Sequence, residues 1–216
     1  MVDDSLPLIM LGAGGHAKVL LSLARAAGLN VIGICDPALA QQKATDWRGI
    51  CLLGGDEALD AVDPDSVGLI NGIGQLVRGS ARHRMFDRLK AQGFSFPTLV
   101  HPSAWVDPSA VLSEGVQIMA GAVLQADVVV NCNSIINTAA SLDHDCDIGA
   151  HVHVAPGATL CGNVLVKNHA FIGSGATVIQ GLMVGEEAVI GAGVTLVRDL
   201  APRLKLIGPA ARVSIR

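Results

Sequence analysis

A six-residue period runs through the second half of this chain and leaves few folds open to it. Stepping by six from Val106, the sequence meets Leu112, Ile118, Leu124, Val130, Ile136, Leu142, Ile148, Val154, Leu160, Val166, Ile172, Val178, Val184, Ile190 and Leu196, all aliphatic. Two residues before each lies a small or medium, uncharged residue, among them Ala110, Ala122, Ser134, Cys146, Ala158, Ala170 and Ala188. A period of six fits neither the 3.6-residue turn of a helix nor the simple alternation of a strand. It fits short flat strands joined by tight corners, each strand pointing one aliphatic side chain inward. Three such faces close a triangular coil, and the sixteen hexapeptides make about five coils stacked at the strand spacing of roughly 4.8 Å. Gly149, Gly173, Gly185 and Gly191 follow the aliphatic position and are expected to supply unusual corner dihedrals.

Composition agrees with stacked repeats. The 216 residues are 50% hydrophobic, 16% charged and 3% aromatic, with no tyrosine, which excludes a disordered chain. The apolar mass is Val, Ile, Leu and Ala beside 25 glycines. Basic and acidic residues number 9 and 10 in 1–100 and 6 and 9 in 101–216, for a net charge of −4. Neither half is a basic surface, so no nucleic-acid partner is expected. Five cysteines without CxxC spacing read as reduced, small core residues. The opening MVDDSLPLIM carries acids where a signal peptide needs positive charge, and no apolar run is long enough to span a membrane, so a cytoplasmic protein is expected.

The first half has a different grammar. An apolar strand at 6–11 runs into Gly12-Ala13-Gly14-Gly15-His16-Ala17, and an amphipathic stretch at 18–28 predicts a helix stopped at Gly28. A second strand, 31–36, ends on Asp36; a third covers 66–74; a helix runs from Arg78 to Gln92; and 94–106 lead into the first coil. This is half of a doubly wound α/β sheet. The glycine loop matches G-x-G-x-x-A between a strand and a helix, with Asp36 at the tip of the next strand. Glycines there let the backbone approach a phosphate at a helix N-terminus. The alternative is a tight strand-to-helix turn with no ligand.

Of seven histidines, His144, His151, His153 and His169 crowd one stretch, and Asp143 and Asp145 flank His144. Asp145 is placed to hold the imidazole or stabilise its charged form, making His144 a better base. Gly162 lies one coil further on, where its backbone N–H is a candidate oxyanion donor. The competing reading is a solvated corner histidine. Cys146 and Cys161 are expected in the core.

GAGGHA at 12–17, Asp36, HPSA at 101–104, INT at 136–138, DHDC at 143–146, HVHVAPGATLCGNV at 151–164 and VRDL at 197–200 together span nearly the whole chain. In these motifs it resembles the nucleotide-sugar N-acetyltransferases that act on 4-amino-4,6-dideoxyhexoses, such as the bacillosamine and perosamine enzymes, and their relatives the sialic acid O-acetyltransferases. The resemblance implies an α/β half-Rossmann domain (1–100) binding the nucleotide-sugar, followed by an all-β left-handed parallel β-helix (101–216) with a C-terminal tail. It further implies a homotrimer with acetyl-CoA between adjacent β-helices and no metal. His144 matches the general base, Asp145 the acid that raises its basicity, and Gly162 the donor to the thioester carbonyl. His153, Ser174 and Ala192 match acetyl-CoA contacts; Gly14, Gly15, His16, Cys35, Asp36 and Gly74 match nucleotide-sugar contacts. Asn137 precedes the base by seven residues and is expected to orient the sugar.

Two departures stand out: Cys35 replaces an acid common in relatives, and Gly208-Pro209-Ala210-Ala211 is one residue shorter than the usual G-x-P-A tail. Zinc lyases of similar β-helical fold use three histidines, but His151, His153 and His169 lack their His-x4-His spacing. An O-acetyltransferase, a nicotinamide-dependent oxidoreductase and a non-catalytic nucleotide-sugar scaffold are the other readings the sequence leaves open.

Overall fold

The computed structural model describes residues 6–75, 77 and 79–209. The residues before Leu6, Arg78 at the expected start of the second helix, and Ala210 and Ala211 of the tail lie outside them. The chain divides into two compact units, one of Met1–Ala104, Leu112–Ala120 and Asn131–Asn133, the other of Trp105–Val111, Gly121–Val130 and Ser134–Arg216.

In the first unit, strands β1 (Leu8–Leu11), β2 (Val31–Cys35), β3 (Asp46–Trp47), β4 (Ile50–Gly54) and β5 (Gly68–Asn71) form a sheet in the order β3-β4-β2-β1-β5. All neighbours are parallel except the β3–β4 hairpin. Strand alternation explains its two faces. Leu8 and Met10 face helix α1 (Gly15–Ala26), which buries Ala17, Leu20, Leu21, Leu23 and Ala24, whereas Ile9 and Leu11 share a core with Phe86 and Leu89 of the second long helix, Ala81–Ala91. Between β2 and β5 the sequence reading passed over five elements: the short helix α2 (Pro37–Gln41), β3, β4 and two 3-10 helices, Asp56–Ala61 and Pro64–Ser66. Asp36 caps α2 and Pro37 occupies its first turn, where proline costs nothing. We number the Ala81–Ala91 helix α3. The repeat also starts one hexapeptide earlier than Val106, because β6 (Leu99–Val100) already pairs in parallel with Gln117–Ile118.

The second unit is built from two-residue strands. On one face Trp105–Val106, Val123–Leu124, Ser141–Leu142, Thr159–Leu160, Thr177–Val178 and Thr195–Leu196 pair in parallel in that order. Val129–Val130, Asp147–Ile148, Leu165–Val166 and Met183–Val184 stack on the second face; Ile135–Ile136, His153–Val154, Phe171–Ile172 and Val189–Ile190 stack on the third. Each inward aliphatic sits on its equivalent one coil away, and those from Leu124 to Leu196 are at most 2% exposed.

The corners correct one expectation. Positive φ falls three residues before the inward aliphatic, at Gly121, Asp127, Ala139, Asp145, His151, Gly157, Asn163, His169, Gly175, Gly181, Glu187 and Gly193, with values from 55° to 71°. Gly149, Gly173, Gly185 and Gly191 do not have positive φ. At Gly149, Gly173 and Gly185 the next coil passes too close for a side chain, while a Cβ on Gly191 would come within 3.2 Å of Leu206 O. A Cβ on Gly173 would lie 2.5 Å from Ala192 N and one on Gly149 2.7 Å from Asn168 N, while one on Gly185 would meet Pro202 N.

Candidate active site

Three corners join the three faces of the second unit, and each carries its own ladder of hydrogen bonds. In the first, Asp145 N–H donates to Ala126 O (3.0 Å), Asn163 N–H to His144 O (2.8 Å) and Gly181 N–H to Gly162 O (3.0 Å). His144, Gly162 and Gln180 therefore form one column. His144 Nδ1 lies 2.7 Å from Asp145 Oδ2, and Asp143 Oδ1 accepts the His144 backbone N–H at 2.9 Å. The left-handed backbone at Asp145 (φ 59°) belongs to the corner, so the same turn that closes the coil presents the carboxylate to the ring. Because a carboxylate only accepts, Nδ1 carries the proton and Nε2 of the neutral ring is left as the base. The Asp145 hydrogen bond raises the His144 pKa above its ordinary value; desolvation opposes it, and the Asp143 and Asp145 charges add to it.

Gly162 lies directly under the ring. A Cβ there would fall 2.6 Å from both Cε1 and Nε2 of His144, so any side chain would displace the imidazole. Asp143, His144, Cys161, Gly162, Asn163, Gln180 and Gly181 line an open groove of about 530 Å³, and a second groove beside Asp143 runs along Ser141, Thr159 and Gln125. Cys146 fills the core as expected, its thiol pushed up to about 11 by burial. Cys161 is half-exposed and lines both grooves, which the core reading had not foreseen.

The second corner holds Thr138, Pro156, Ser174 and Ala192 in a column, linked by Gly157 N–H to Thr138 O (2.9 Å), Gly175 N–H to Pro156 O (3.0 Å) and Gly193 N–H to Ser174 O (2.8 Å). Asn137 belongs to this corner. Its Oδ1 accepts Thr138 N–H at 2.7 Å, which turns its Nδ2 toward His153 Nε2 at 3.2 Å. His153 is 8% exposed and packs against Phe171 with ring centroids 5.0 Å apart. Within one chain, then, His144, Asp145 and Gly162 meet on one corner, while Asn137, Ser174 and Ala192 occupy another, with His153 on the face leading to it. On the third corner His151 and His169 stack at 4.8 Å with ring planes 9° apart. Among the described residues no group of three or more His, Cys, Asp or Glu is arranged to hold a metal ion.

In the first unit, Gly12 takes a positive φ (83°) and donates to Cys35 O at 2.7 Å. Gly14 is the N-cap of α1 and offers no side chain to it; a Cβ on Gly14 or Gly15 would meet nothing within 4 Å. The helix N-terminus thus opens on free space, as an anion site requires. Asp36 is already engaged: Oδ2 accepts Ala13 N–H at 2.8 Å and Oδ1 accepts Leu39 N–H at 2.9 Å. It pins the glycine loop and caps α2, a role the sequence reading did not give it. Cys35 is fully buried, its thiol pushed up to about 11 by burial, with Asp56 and Glu57 adding to the shift, so its side chain does not reach the loop's open side. Gly74 lies against His16, where a Cβ would come within 3.2 Å of the His16 Cβ. Sequence reasoning missed Asn71, Arg82 and Gln117, a buried polar group beside this loop.

A parallel β-helix of hexapeptide coils carrying an exposed His–Asp pair over a glycine, following a glycine-loop α/β unit in the sequence, defines an acyltransferase of the hexapeptide class with a nucleotide-type domain. Comparison with known proteins narrows this. Residues 7–89 match the PglD N-terminal domain family. The acetyltransferase domain of PglB from Neisseria gonorrhoeae FA1090 is 34% identical over 94% of this chain and 96% of that one, with a TM-score of 0.86; it has also been solved in complex with acetyl coenzyme A. PerB from Caulobacter crescentus, solved in complex with CoA and GDP-perosamine, is 37% identical over 94% of each chain, with a TM-score of 0.85. The chain belongs to this family of left-handed β-helix sugar N-acetyltransferases, and it is an acetyl-CoA-dependent N-acetyltransferase.

Proposed function

We propose that this protein transfers the acetyl group of acetyl-CoA to the 4-amino group of a nucleotide-linked 4-amino-4,6-dideoxyhexose. The observation that carries the reading is the Asp145–His144 pair stacked on Gly162. His144 Nε2 accepts a proton from the sugar amine as the nitrogen attacks the thioester carbonyl. Asp145 stabilises the imidazolium that forms, and the Gly162 N–H donates to the developing oxyanion. The carbonyl–sulfur bond then breaks, and coenzyme A leaves with the amide formed. No serine or cysteine of the groove has a base-and-orienter arrangement, so direct transfer is favoured over an acyl-enzyme.

The nucleotide-sugar is assigned to the 1–100 domain, at Gly14, Gly15, His16, Gly74 and the Asp36-pinned loop. The 101–216 domain is assigned to transfer, with acetyl-CoA on His153, Ser174 and Ala192 and the sugar oriented by Asn137. The separation of base and acetyl-CoA positions onto different corners favours a homotrimer in which neighbouring chains complete each site. Exposed Trp105 and Val111, and Lys167 as the one Lys or Arg in 106–197, favour burial of flat faces between copies. The five free cysteines suit a reducing, cytoplasmic setting, and no helix among the described residues is long and apolar enough to cross a membrane. A screen of CoA release with UDP-, GDP- and dTDP-linked 4-amino sugars tests the assignment. Turnover with one of them is expected; O-acetylation of free sialic acid with none of them accepted would overturn it.

A further inference from the structure

His16 is the second residue of α1, at the rim of the glycine loop, and its Nε2 lies 2.8 Å from Oε1 of Gln117. Gln117 comes from the hexapeptide half of the sequence but belongs to the first unit, and it is 2% exposed. Its Nε2 donates to Asn71 O at 3.0 Å. A carboxamide donates from one arm and accepts on the other. The bond to Asn71 O therefore fixes Oε1 toward the imidazole, and His16 Nε2 must carry a proton.

Asn71 O is held in turn. It accepts Nη1 of Arg82 at 2.8 Å, and the same Nη1 donates to Ile73 O at 2.9 Å. Nε and Nη2 of Arg82 both reach Asn133 O at 3.3 Å. Asn71 Nδ2 closes the group on Arg82 O (3.1 Å) and Asn133 Oδ1 (3.2 Å). Arg82 is 3% exposed, so a buried guanidinium clamps the carbonyl on which Gln117 hangs. Groups of this kind hold one geometry, because a polar atom left without its bond in so buried a place is costly.

We propose that Gln117 is a positioning residue of the nucleotide-sugar site: it holds His16 beside the glycine loop as the Nε2-protonated imidazole, with Asn71 and Arg82 as its rigid mount. This rests on the assignment of the glycine loop to the nucleotide-sugar. Gln117→Leu removes both bonds at similar volume; Gln117→Glu keeps the acceptor facing His16 and gives up the bond to Asn71 O.

Nitrogen-15 NMR of the His16 ring in the full-length protein reads the tautomer without any substrate. The wild type and Gln117→Glu are expected to show Nε2–H, and Gln117→Leu to lose that preference. In steady-state kinetics Gln117→Leu should raise KM for the nucleotide-sugar about tenfold, with kcat and the acetyl-CoA KM within about twofold. A folded Gln117→Leu protein with wild-type tautomer and KM overturns the proposal. Should Gln117→Leu fail to fold, Gln117→Glu decides, and loss of its Nε2–H signal is the overturning result. If wild-type enzyme turns over no nucleotide-linked amino sugar, the functional assignment has failed separately. Calorimetric binding of UDP, GDP and dTDP to wild type and Gln117→Leu then tests the positioning role, and equal affinity, or no binding to either, overturns it.

Discussion

Asp145 is at once a corner residue and the proposed orienter of the base. Aspartate is among the few side chains that tolerate left-handed backbone, so Asp145→Asn should keep the turn while weakening the carboxylate's hold on His144. The sign of the pH effect follows from the cause of the shift. The Asp145 hydrogen bond favours the imidazolium and raises the His144 pKa; removing its charge lowers that pKa. The acid limb of kcat/KM, set by His144 losing its proton, should therefore move to lower pH in Asp145→Asn while the plateau falls. A limb that stays in place would belong to another group. His144→Asn, which cannot accept the proton near neutrality, should lower kcat by about 10²–10⁴ with KM little changed; more than a tenth of the activity remaining would point to a different base. Gly14→Val tests the other site: its φ of −72° suits valine and a Cβ there meets nothing within 4 Å, so the fold should persist. The nucleotide-sugar KM should rise at least about tenfold and the acetyl-CoA KM stay unchanged, since the new methyls occupy the phosphate approach. The reverse pattern would mean the two ligands have been assigned the wrong way round. The His144–Gly162 contact was legible in the sequence because an eighteen-residue separation in this fold is a spatial contact. His16 and Gln117 are 101 residues apart and share no period, so nothing in the sequence joins them. Asp36 was read as a ligand residue because a strand-end acid is visible in sequence, whereas the backbone amides it satisfies are not.

At the level of elements, the coils were readable and the hairpin was not. Sixteen hexapeptides repeat one signal; Asp46–Trp47 and Ile50–Gly54 give too few residues for any period to emerge, and α2 is five residues long. The glycines show a second limit. A glycine in sequence has two meanings, permitted dihedral and permitted approach, and only coordinates separate them. The two kinds should differ in the cost of alanine. Gly173→Ala drives a methyl to 2.5 Å from a backbone nitrogen and should destabilise the β-helix by about 1–3 kcal/mol or more. Gly157→Ala meets nothing within 4 Å and should lose only the left-handed penalty, about 1–2 kcal/mol at most and less at a corner where Ala139 already pays it. Thermal unfolding of the two variants checks the order; equal losses would mean that stacking distance does not govern the Gly173 position.

For the whole molecule the test is complementation. His144→Asn removes the proposed base on one corner, and Ala192→Trp should block the exposed corner position assigned to acetyl-CoA on another. If neighbouring chains of a trimer complete each site, co-refolding the two inactive variants in equal amounts should restore about a quarter of wild-type activity, since a site then needs one chain of each kind in the right order. Mixtures that stay inactive, or a protein of about 22 kDa by light scattering, would place each site within one chain. Assembly was only partly legible in the sequence. Few charges on repeated flat faces suggest self-association and the eighteen-residue period says which residues share a corner, but neither says which corner of one chain would face which corner of a neighbour.

The three-cornered coil also dictates how such a chain can change length. Inserting six residues between His144 and Gly162 would leave every strand pattern intact and every aliphatic inward, yet it would carry the glycine to a neighbouring corner and strand the base without its oxyanion donor. Inserting three such hexapeptides would return the glycine to the right edge but one storey too far away. Deletions obey the same rule. Between the proposed base and its proposed oxyanion donor the spacing is therefore a fixed quantum, whereas beyond Ala192, the last position assigned to acetyl-CoA, a full extra turn adds height without touching the proposed site. Variation in length among proteins of this design should accordingly arrive in multiples of eighteen at the C-terminal end of the prism, or as excursions looped out from its edges, and never as a single hexapeptide inside the catalytic turn.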